Sequence, residues 1–150
     1  MTFNAQLIGK HYAEVKLSVT PETVDSFVRA IGESNPIFLD PVAAQAAGYD
    51  QQLAPPTILA RIQIVAVLEI TADPEIGVEF DGIVHGEQNY VWTRPVEVGD
   101  ELSTIPLITD IRSRGSVSFL DVELDVRDAS GATVVVSRST MVHLDGGVSR

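Results

Sequence analysis

The stretch that decides the fold is PPTILARIQIVAVLEI, which runs from Pro55 to Ile70. Two prolines followed by a threonine predict the start of a helix, because a proline ring fits the first helical turn. From Thr57 to Ile70 the residues are apolar on almost every face of that helix. A helix that is apolar nearly all round is typical of a buried position, so we expect this helix at the centre of the core.

Strands are predicted after this helix, because runs with alternating apolar residues follow one another between turn residues. Apolar residues stand at odd positions at Val117 and Phe119 and at even positions from Val122 onward. This change of alternation predicts a β-bulge near Leu120. The four predicted strands are Ile83–Trp92, Glu101–Ser113, Ser116–Arg127 and Thr133–Leu144.

Two shorter helices are predicted before the central one. The first follows a cap at Thr20 and ends at Gly32, and the second runs from Val42 to Ala47. Between them lies the polar turn GESNPIF, residues 32–38. A polar turn held between apolar segments is a place where a fold positions side chains for chemistry.

These elements predict an α+β architecture in which a long central helix is wrapped by a curved antiparallel sheet. A further strand near Ile8–Val19 is expected at one edge of this sheet. Such a sheet leaves an edge strand free, and pairing with a second chain in a dimer would cover it.

Length and composition limit the possible classes of protein. With 150 residues, 45% of them hydrophobic and 21% charged, the chain is predicted to form one globular domain over residues 1–150. It contains no cysteine, which excludes disulfides and thiolate chemistry. Neither a signal peptide nor an apolar stretch long enough to span a membrane is recognisable, so we expect a cytoplasmic protein.

The charge and the scarcity of metal ligands exclude further classes. The net charge is −11, and nucleic-acid binding needs a basic surface, so no nucleic-acid partner is expected. Three scattered histidines predict no metal site, and without a Gly-rich phosphate loop we expect no cofactor. An anionic ligand would need a local cluster of cations. The candidates for that cluster are Lys10, Arg94, Arg112, Arg114 and Arg138.

Five short motifs, in this order and at these spacings, resemble one protein family. The chain resembles MaoC-like (R)-specific enoyl-thioester hydratases and (3R)-hydroxyacyl-carrier-protein dehydratases over roughly Gly9–Leu144, and most closely their short actinobacterial subunits. The resemblance implies the hot-dog fold and a role in fatty-acyl metabolism. The motifs are GESNP (32–36), AGY (47–49), LAPPT (53–57), VHGEQ (84–88) and RPVEVGD (94–100).

The resemblance also implies where catalytic residues would lie. In catalytic members the turn reads Gly-Asp-x-Asn-Pro-x-His, and the Asp and His act as a general acid–base dyad. By position, the Asp falls on Glu33, the Asn on Asn35 and the His on Phe38. Glutamate keeps the charge, whereas phenylalanine removes the titratable ring, so the dyad is absent from this chain.

Each candidate residue of the turn has a functional and a structural interpretation. Glu33 is either a surviving base or a solvated carboxylate at the end of a helix. Asn35 either binds the substrate or stabilises the turn through its own backbone. Phe38 is either a wall of the acyl-binding site or part of the core.

Two further regions carry candidate residues. Pro56 and Thr57 cap the central helix, and its free N–H groups are candidates for binding a thioester oxygen. His85 is either a substitute base or a structural residue. Because alternate residues of a strand share a face, we expect His85 and Glu87 to point the same way.

The sequence leaves several functions open. The first hypothesis is a dehydratase or hydratase subunit that shapes the acyl site for a CoA or carrier-protein thioester, beside a dyad-bearing partner chain. The second is a self-sufficient homodimeric hydratase that uses Glu33 and His85 as catalytic residues. The third is a non-catalytic thioester-binding protein. A hot-dog thioesterase is the weakest alternative, because its carboxylate would have to be Glu69, at the far end of the central helix.

Overall fold

The computed structural model describes residues 1–144 and contains three α-helices and six strands. A 3-10 turn, Pro56–Leu59, leads directly into the third helix, so the central helical segment is continuous. The helices are α1 (Pro21–Ile31), α2 (Pro41–Ala46) and α3 (Ala60–Thr71). The strands are β1 (Val15–Ser18), β2 (Ile83–Trp92), β3 (Glu101–Thr104), β4 (Leu107–Arg114), β5 (Val117–Arg127) and β6 (Thr133–Leu144).

The strands form one antiparallel sheet in the order β1-β3-β5-β6-β2. Strand β4 pairs with the same edge of β5 as β3 does, further along that strand. The predicted α+β layout, an antiparallel sheet around a central helix, is confirmed. The second predicted strand, Glu101–Ser113, is divided in two. Pro106 lies at the break and has no N–H to continue the ladder with β5.

The predicted bulge near Leu120 is wrong. Strand β5 pairs with β6 in unbroken register from Val117 to Val126, and every second residue is buried. Ser118 is buried, although the apolar pattern had placed its neighbours Val117 and Phe119 on the inner face of the sheet. Phe119 therefore faces outward. The bulge of this region lies on β4, where the register with β5 shifts between Ile108 and Asp110.

The central helix is buried on one side only. Ile62, Ala66 and Ile70 of α3 are buried, as expected. Ile64, Val65 and Leu68 of the same helix are 60%, 44% and 48% exposed. The expectation that the helix is buried on nearly all sides is therefore wrong for a single chain, because an apolar pattern does not tell which chain covers each face.

The helices described within residues 1–144 are all too short or too polar to cross a membrane.

Two local contacts fix the ends of these elements. The Thr20 side chain accepts a hydrogen bond from the Thr23 N–H at 3.1 Å and caps α1, as predicted. After α3, the Asp73 carboxylate accepts hydrogen bonds from Lys10 Nζ at 2.6 Å and from the Glu75 N–H at 2.9 Å. Asp73 thus ties the segment before β1 to the loop after α3.

Candidate functional site

The turn between α1 and α2 uses its polar side chains to hold its own backbone. Gly32 ends α1 in the left-handed conformation at φ 68°. Glu33 Oε1 accepts hydrogen bonds from the N–H groups of Ser34 and Asn35 at 2.8 and 2.9 Å. Asn35 Oδ1 accepts one from the Ile37 N–H at 3.3 Å and caps a 3-10 turn. Both candidate polar residues therefore already have a structural role.

Phe38 lies at the end of this turn, half-buried against the hydrophobic core. Its carbonyl accepts a hydrogen bond from Gln52 Nε2 at 2.7 Å, and the Leu53 N–H donates to the Ile37 carbonyl at 3.2 Å. These bonds tie the turn to the segment that leads into the central helix. These hydrogen bonds therefore hold Phe38 next to the segment that leads into the central helix.

The start of the central helical segment is exposed at Pro56 and Thr57. The Ile58 N–H donates to the Pro55 carbonyl at 2.8 Å. Because proline has no N–H, Thr57 carries the first N–H of the segment, and the first N–H groups of a helix have no acceptor within it. This N–H is available to an oxygen of a ligand.

A bulge in β2 determines the direction of His85. The register with β6 pairs His85 with Met141 and Glu87 with Thr140, which leaves Gly86 as the extra residue. The extra residue reverses the alternation, so His85 faces α3 and Glu87 faces the opposite side of the sheet. The expectation that the two side chains point the same way is wrong for this reason.

The inner face of β2 and one side of α3 enclose a cavity of about 310 Å³. His85 lies in its wall, with its Nε2 3.1 Å from the Glu87 carbonyl oxygen. Most of the wall is apolar. The residues lining the cavity are Ala60, Gln63, Ile64, Val67, Leu68, Phe80, Ile83, His85, Tyr90 and Met141.

A buried polar network stands at the side of this cavity. Gln63, only 5% exposed, accepts a hydrogen bond from the Tyr90 hydroxyl at 2.9 Å and donates to Gln88 Oε1. Gln88 Nε2 donates to Ser137 Oγ at 2.9 Å. Burial raises the pKa of Tyr90, which favours the protonated hydroxyl that donates to Gln63. The sequence analysis missed these residues, although a glutamine within a helix that is apolar nearly all round was a signal.

The predicted site residues fall into separate groups within one chain. His85 lies in the cavity wall, whereas Glu33, Asn35 and Phe38 share the turn, and Thr57 lies at the helix start. Apart from His85, none of the predicted site residues lines the cavity. Within residues 1–144 no group of three or more potential metal ligands comes together.

In the described part of the chain, most of the cations that could bind an anionic ligand are already paired with carboxylates. Four of the five candidates already have acidic partners, and only Arg114 has no ion pair among residues 1–144. The ion pairs are Lys10 with Asp73 and Glu75, Arg94 with Asp100 and Asp128, Arg112 with Asp110 and Asp121, and Arg138 with Glu123.

Comparisons with known proteins agree with this architecture. Residues 6–137 match the family model described as FAS1-like, dehydratase domain region. A UPF0336 protein of Clavibacter michiganensis subsp. michiganensis is 38% identical over 143 residues, which are 95% of this chain and 96% of the relative. A UPF0336 protein of Streptomyces avermitilis is 34% identical over 143 residues, which are 95% of this chain and 95% of the relative.

Two solved structures have the same fold. The C-terminally truncated HadBC (3R-hydroxyacyl-ACP dehydratase) complex from Mycobacterium tuberculosis has a TM-score of 0.80 at 24% identity, covering 91% of this chain and 96% of that chain. The unliganded R-hydratase PhaJ1 from Pseudomonas aeruginosa has a TM-score of 0.73 at 19% identity, covering 94% of this chain and 84% of that chain. These likenesses confirm the hot-dog fold.

Proposed function

The chain belongs to the family of FAS1-like dehydratase domains, MaoC-like proteins with the hot-dog fold, and from that membership we propose that it is a subunit of an (R)-specific hydroxyacyl-thioester dehydratase or enoyl-thioester hydratase. The enzyme acts in fatty-acyl metabolism in the cytoplasm. This chain, as one domain over residues 1–150, supplies an acyl-binding site. A partner chain with an intact Asp–His dyad supplies the proton transfers.

The observation that carries the proposal is Phe38. A phenyl ring neither accepts nor donates a proton, and here it packs against the core. Glu33 does not replace it, because both hydrogen bonds that its carboxylate accepts come from the backbone of its own turn. General acid–base catalysis needs a positioned group for each proton, and this turn lacks one of them.

The cavity between α3 and β2 supports binding of an acyl chain. Its volume of about 310 Å³ lies at the lower end of the roughly 300–1,000 Å³ of small-molecule sites. Apolar side chains such as Val67, Ile83 and Met141 suit an alkyl chain. Thr57 lies outside this cavity, at the start of the same helical segment, and its N–H is a candidate for binding a thioester oxygen. A CoA thioester and a carrier-protein thioester both present this chemistry.

The free edge of the sheet supports a partner of the same fold. Strand β2 has ten residues and, among the strands described within residues 1–144, pairs only with β6. Phe80, Val84 and Val91 near this edge are exposed. An exposed strand edge beside apolar side chains is a site for strand pairing. The similar HadBC dehydratase is a complex, which is consistent with a second hot-dog chain here.

A hydration assay with crotonyl-CoA tests the proposal. We expect the purified chain alone to be inactive, and to gain activity when mixed with a dyad-bearing MaoC-like chain. The isosteric variant Glu33→Gln is expected to support the mixture as well as the wild type does, because Glu33 transfers no proton. Binding of crotonyl-CoA to the chain alone is measured by calorimetry in parallel.

Other outcomes would favour the alternatives. Activity of the chain alone that is lost in Glu33→Gln would contradict the proposal and support the self-sufficient homodimeric hydratase, with His85 as the next residue to replace. No activity in the mixture, together with measurable binding of crotonyl-CoA, would support a non-catalytic thioester-binding protein.

A further inference from the structure

Gln63 and Tyr90 place an amide and a hydroxyl in the mostly apolar wall of the cavity between α3 and β2. Gln63 is buried and Tyr90 is half-buried. A wall for a plain alkyl chain needs neither group, because leucine and phenylalanine would fill the same space without polar atoms that require partners. The cavity therefore contains a polar position that an unsubstituted acyl chain does not use.

The direction of the hydrogen bonds in this network follows from one end of it. Gln88 Nε2 lies 3.2 Å from both the Asn89 and the Arg138 carbonyl oxygens, and a carbonyl oxygen only accepts, so these contacts fix the amide nitrogen. Gln88 Oε1 then faces Gln63, whose amide nitrogen must donate to it. This leaves Gln63 Oε1 for Tyr90. Because that oxygen carries no proton, the Tyr90 hydroxyl must be the donor.

The Tyr90 hydroxyl therefore gives its proton to Gln63 Oε1, at 2.9 Å, while the lone pairs of its oxygen are not used in the same way. A phenol oxygen accepts as well as donates, and no donor within residues 1–144 makes a hydrogen bond to this one. To a molecule in the cavity, Tyr90 thus offers an acceptor and no donor. Such a group pairs with a hydroxyl and has no proton to give to a keto oxygen.

The position of Gln63 along the helix places this acceptor beyond the reacting end of a thioester. Thr57, the candidate for binding the thioester oxygen, lies six residues earlier, with the 3-10 turn and the first turn of α3 between them. At about 2.0 Å of rise per residue in the turn and about 1.5 Å in the helix, the two positions are about 10 Å apart. The α and β carbons adjoin the thioester carbonyl, so a ligand group at Tyr90 belongs to the remote part of the acyl chain.

We propose that the cavity selects acyl thioesters that carry a hydroxyl on the remote part of the chain, with Tyr90 as the hydrogen-bond acceptor. The ligand hydroxyl donates to the Tyr90 oxygen, and Gln63 is the positioning residue that holds the tyrosine proton away from the ligand. A site built to pair with a hydroxyl discriminates against the analogue that lacks it, because its buried polar group is then left unpaired. The inference rests on the proposed function in one respect only, that the cavity takes the acyl chain.

Calorimetric binding of saturated thioesters tests the inference without catalysis, because octanoyl-CoA has no double bond to hydrate. The ligands are octanoyl-CoA and its isomers with a hydroxyl at each carbon from the fifth to the eighth. We expect one isomer to bind about three- to tenfold more tightly than octanoyl-CoA, which is the size of one net hydrogen bond. Tyr90→Phe should remove this preference. Tyr49→Phe makes the same change outside the cavity wall and is the matched control that should keep it.

Replacing Gln63 gives a second, directional test. In Gln63→Leu the Tyr90 hydroxyl loses its acceptor and is free to donate to a ligand. We expect the keto analogue of the preferred isomer to bind about three- to tenfold more tightly than octanoyl-CoA in this variant, but not in the wild type. A network that only holds α3 against β2 would lower the Tm of these variants and leave the ratios of the Kd values unchanged. Thermal unfolding identifies the temperature at which each variant is folded for the binding measurements.

Equal binding of octanoyl-CoA and all its hydroxyl isomers would overturn the inference, and activity in the crotonyl-CoA mixture would then leave the proposed function intact. A preference that survives Tyr90→Phe and is lost in His85→Phe would also overturn it, because His85 of the same wall would be the acceptor. Binding of none of these thioesters would contradict both. A hydroxyl preference that depends on Tyr90, without activity beside a dyad-bearing chain, would support the inference and contradict the proposed function.

Discussion

Gly86 is the position at which the smallest substitution should have a large and calculable effect. It is the extra residue of the β2 bulge, and its backbone is not in the left-handed region, so alanine can adopt its conformation. A Cβ there would lie 2.7 Å from Val142 Cγ2 and 3.3 Å from the Thr140 carbonyl oxygen. Carbon atoms in favourable contact are about 3.5–4.0 Å apart, so the overlap with Val142 is about 1 Å.

The magnitude follows from how little the neighbours can move. Val142 is stiff at its first side-chain torsion, and Thr140 is held in the ladder with Glu87. Overpacking of this kind costs about 1–3 kcal/mol. Alanine also lowers the conformational entropy of the unfolded chain, which offsets about 0.4–1 kcal/mol of that cost. We therefore expect Gly86→Ala to lower the free energy of unfolding by about 1–2 kcal/mol. For a domain of this size that is a fall in Tm of about 2–8 °C.

A double-mutant cycle checks the mechanism by thermal unfolding. Val142→Ala removes the clashing Cγ2, so Gly86→Ala should cost about 1–2 kcal/mol less in the Val142→Ala background than in the wild type. An unchanged Tm for Gly86→Ala would refute the packing argument. If Gly86→Ala lowered the free energy of unfolding equally in both backgrounds, the clash with Val142 would be refuted. The steric reason for a glycine at this bulge, which turns His85 toward α3, would then be refuted as well.

Two smaller predictions concern the ends of the elements. The hydrogen bond from Lys10, followed by that from the Glu75 N–H, holds the pKa of Asp73 below its usual value of 3.8. The ionised Asp73 carboxylate therefore stabilises the folded state above pH 3.8, and this stabilisation is lost as the pH falls through the lower folded pKa. Asp73→Asn should lower the urea midpoint at pH 7. The difference in midpoint between this variant and the wild type should shrink below pH 3.8. Thr20→Ala removes the cap on the Thr23 N–H and should cost about 0.5–2 kcal/mol in urea unfolding; a cost near zero would show that water replaces the cap.

The sequence was a good guide wherever the structure depends on local pattern. The central helix and the strands Ile83–Trp92 and Thr133–Leu144 have the predicted bounds within a residue or two, because periodicity and turn residues determine them. The break at Pro106 and the bulge at Gly86 had local signals as well. A proline and a glycine inside predicted strands indicate an interrupted ladder and a bulge.

The exposed side of α3 had no such signal. A helix that is apolar on all faces has the same sequence whether its second face packs against its own chain or against another one. Only the folded chain decides, because Ile62, Ala66 and Ile70 of α3 are buried while Ile64, Val65 and Leu68 remain exposed.

The turn from Gly32 to Phe38 explains how a catalytic motif can be present without its chemistry. Glu33 reaches two N–H groups of its own turn, Asn35 caps the next one, and the Phe38 carbonyl is held by Gln52. These bonds use the polar atoms of the motif to position the backbone ahead of the central helix, and none of them requires a titratable group at residue 38. The motif can therefore retain its structural role when phenylalanine replaces histidine, and under the proposed function the proton transfers come from the partner chain.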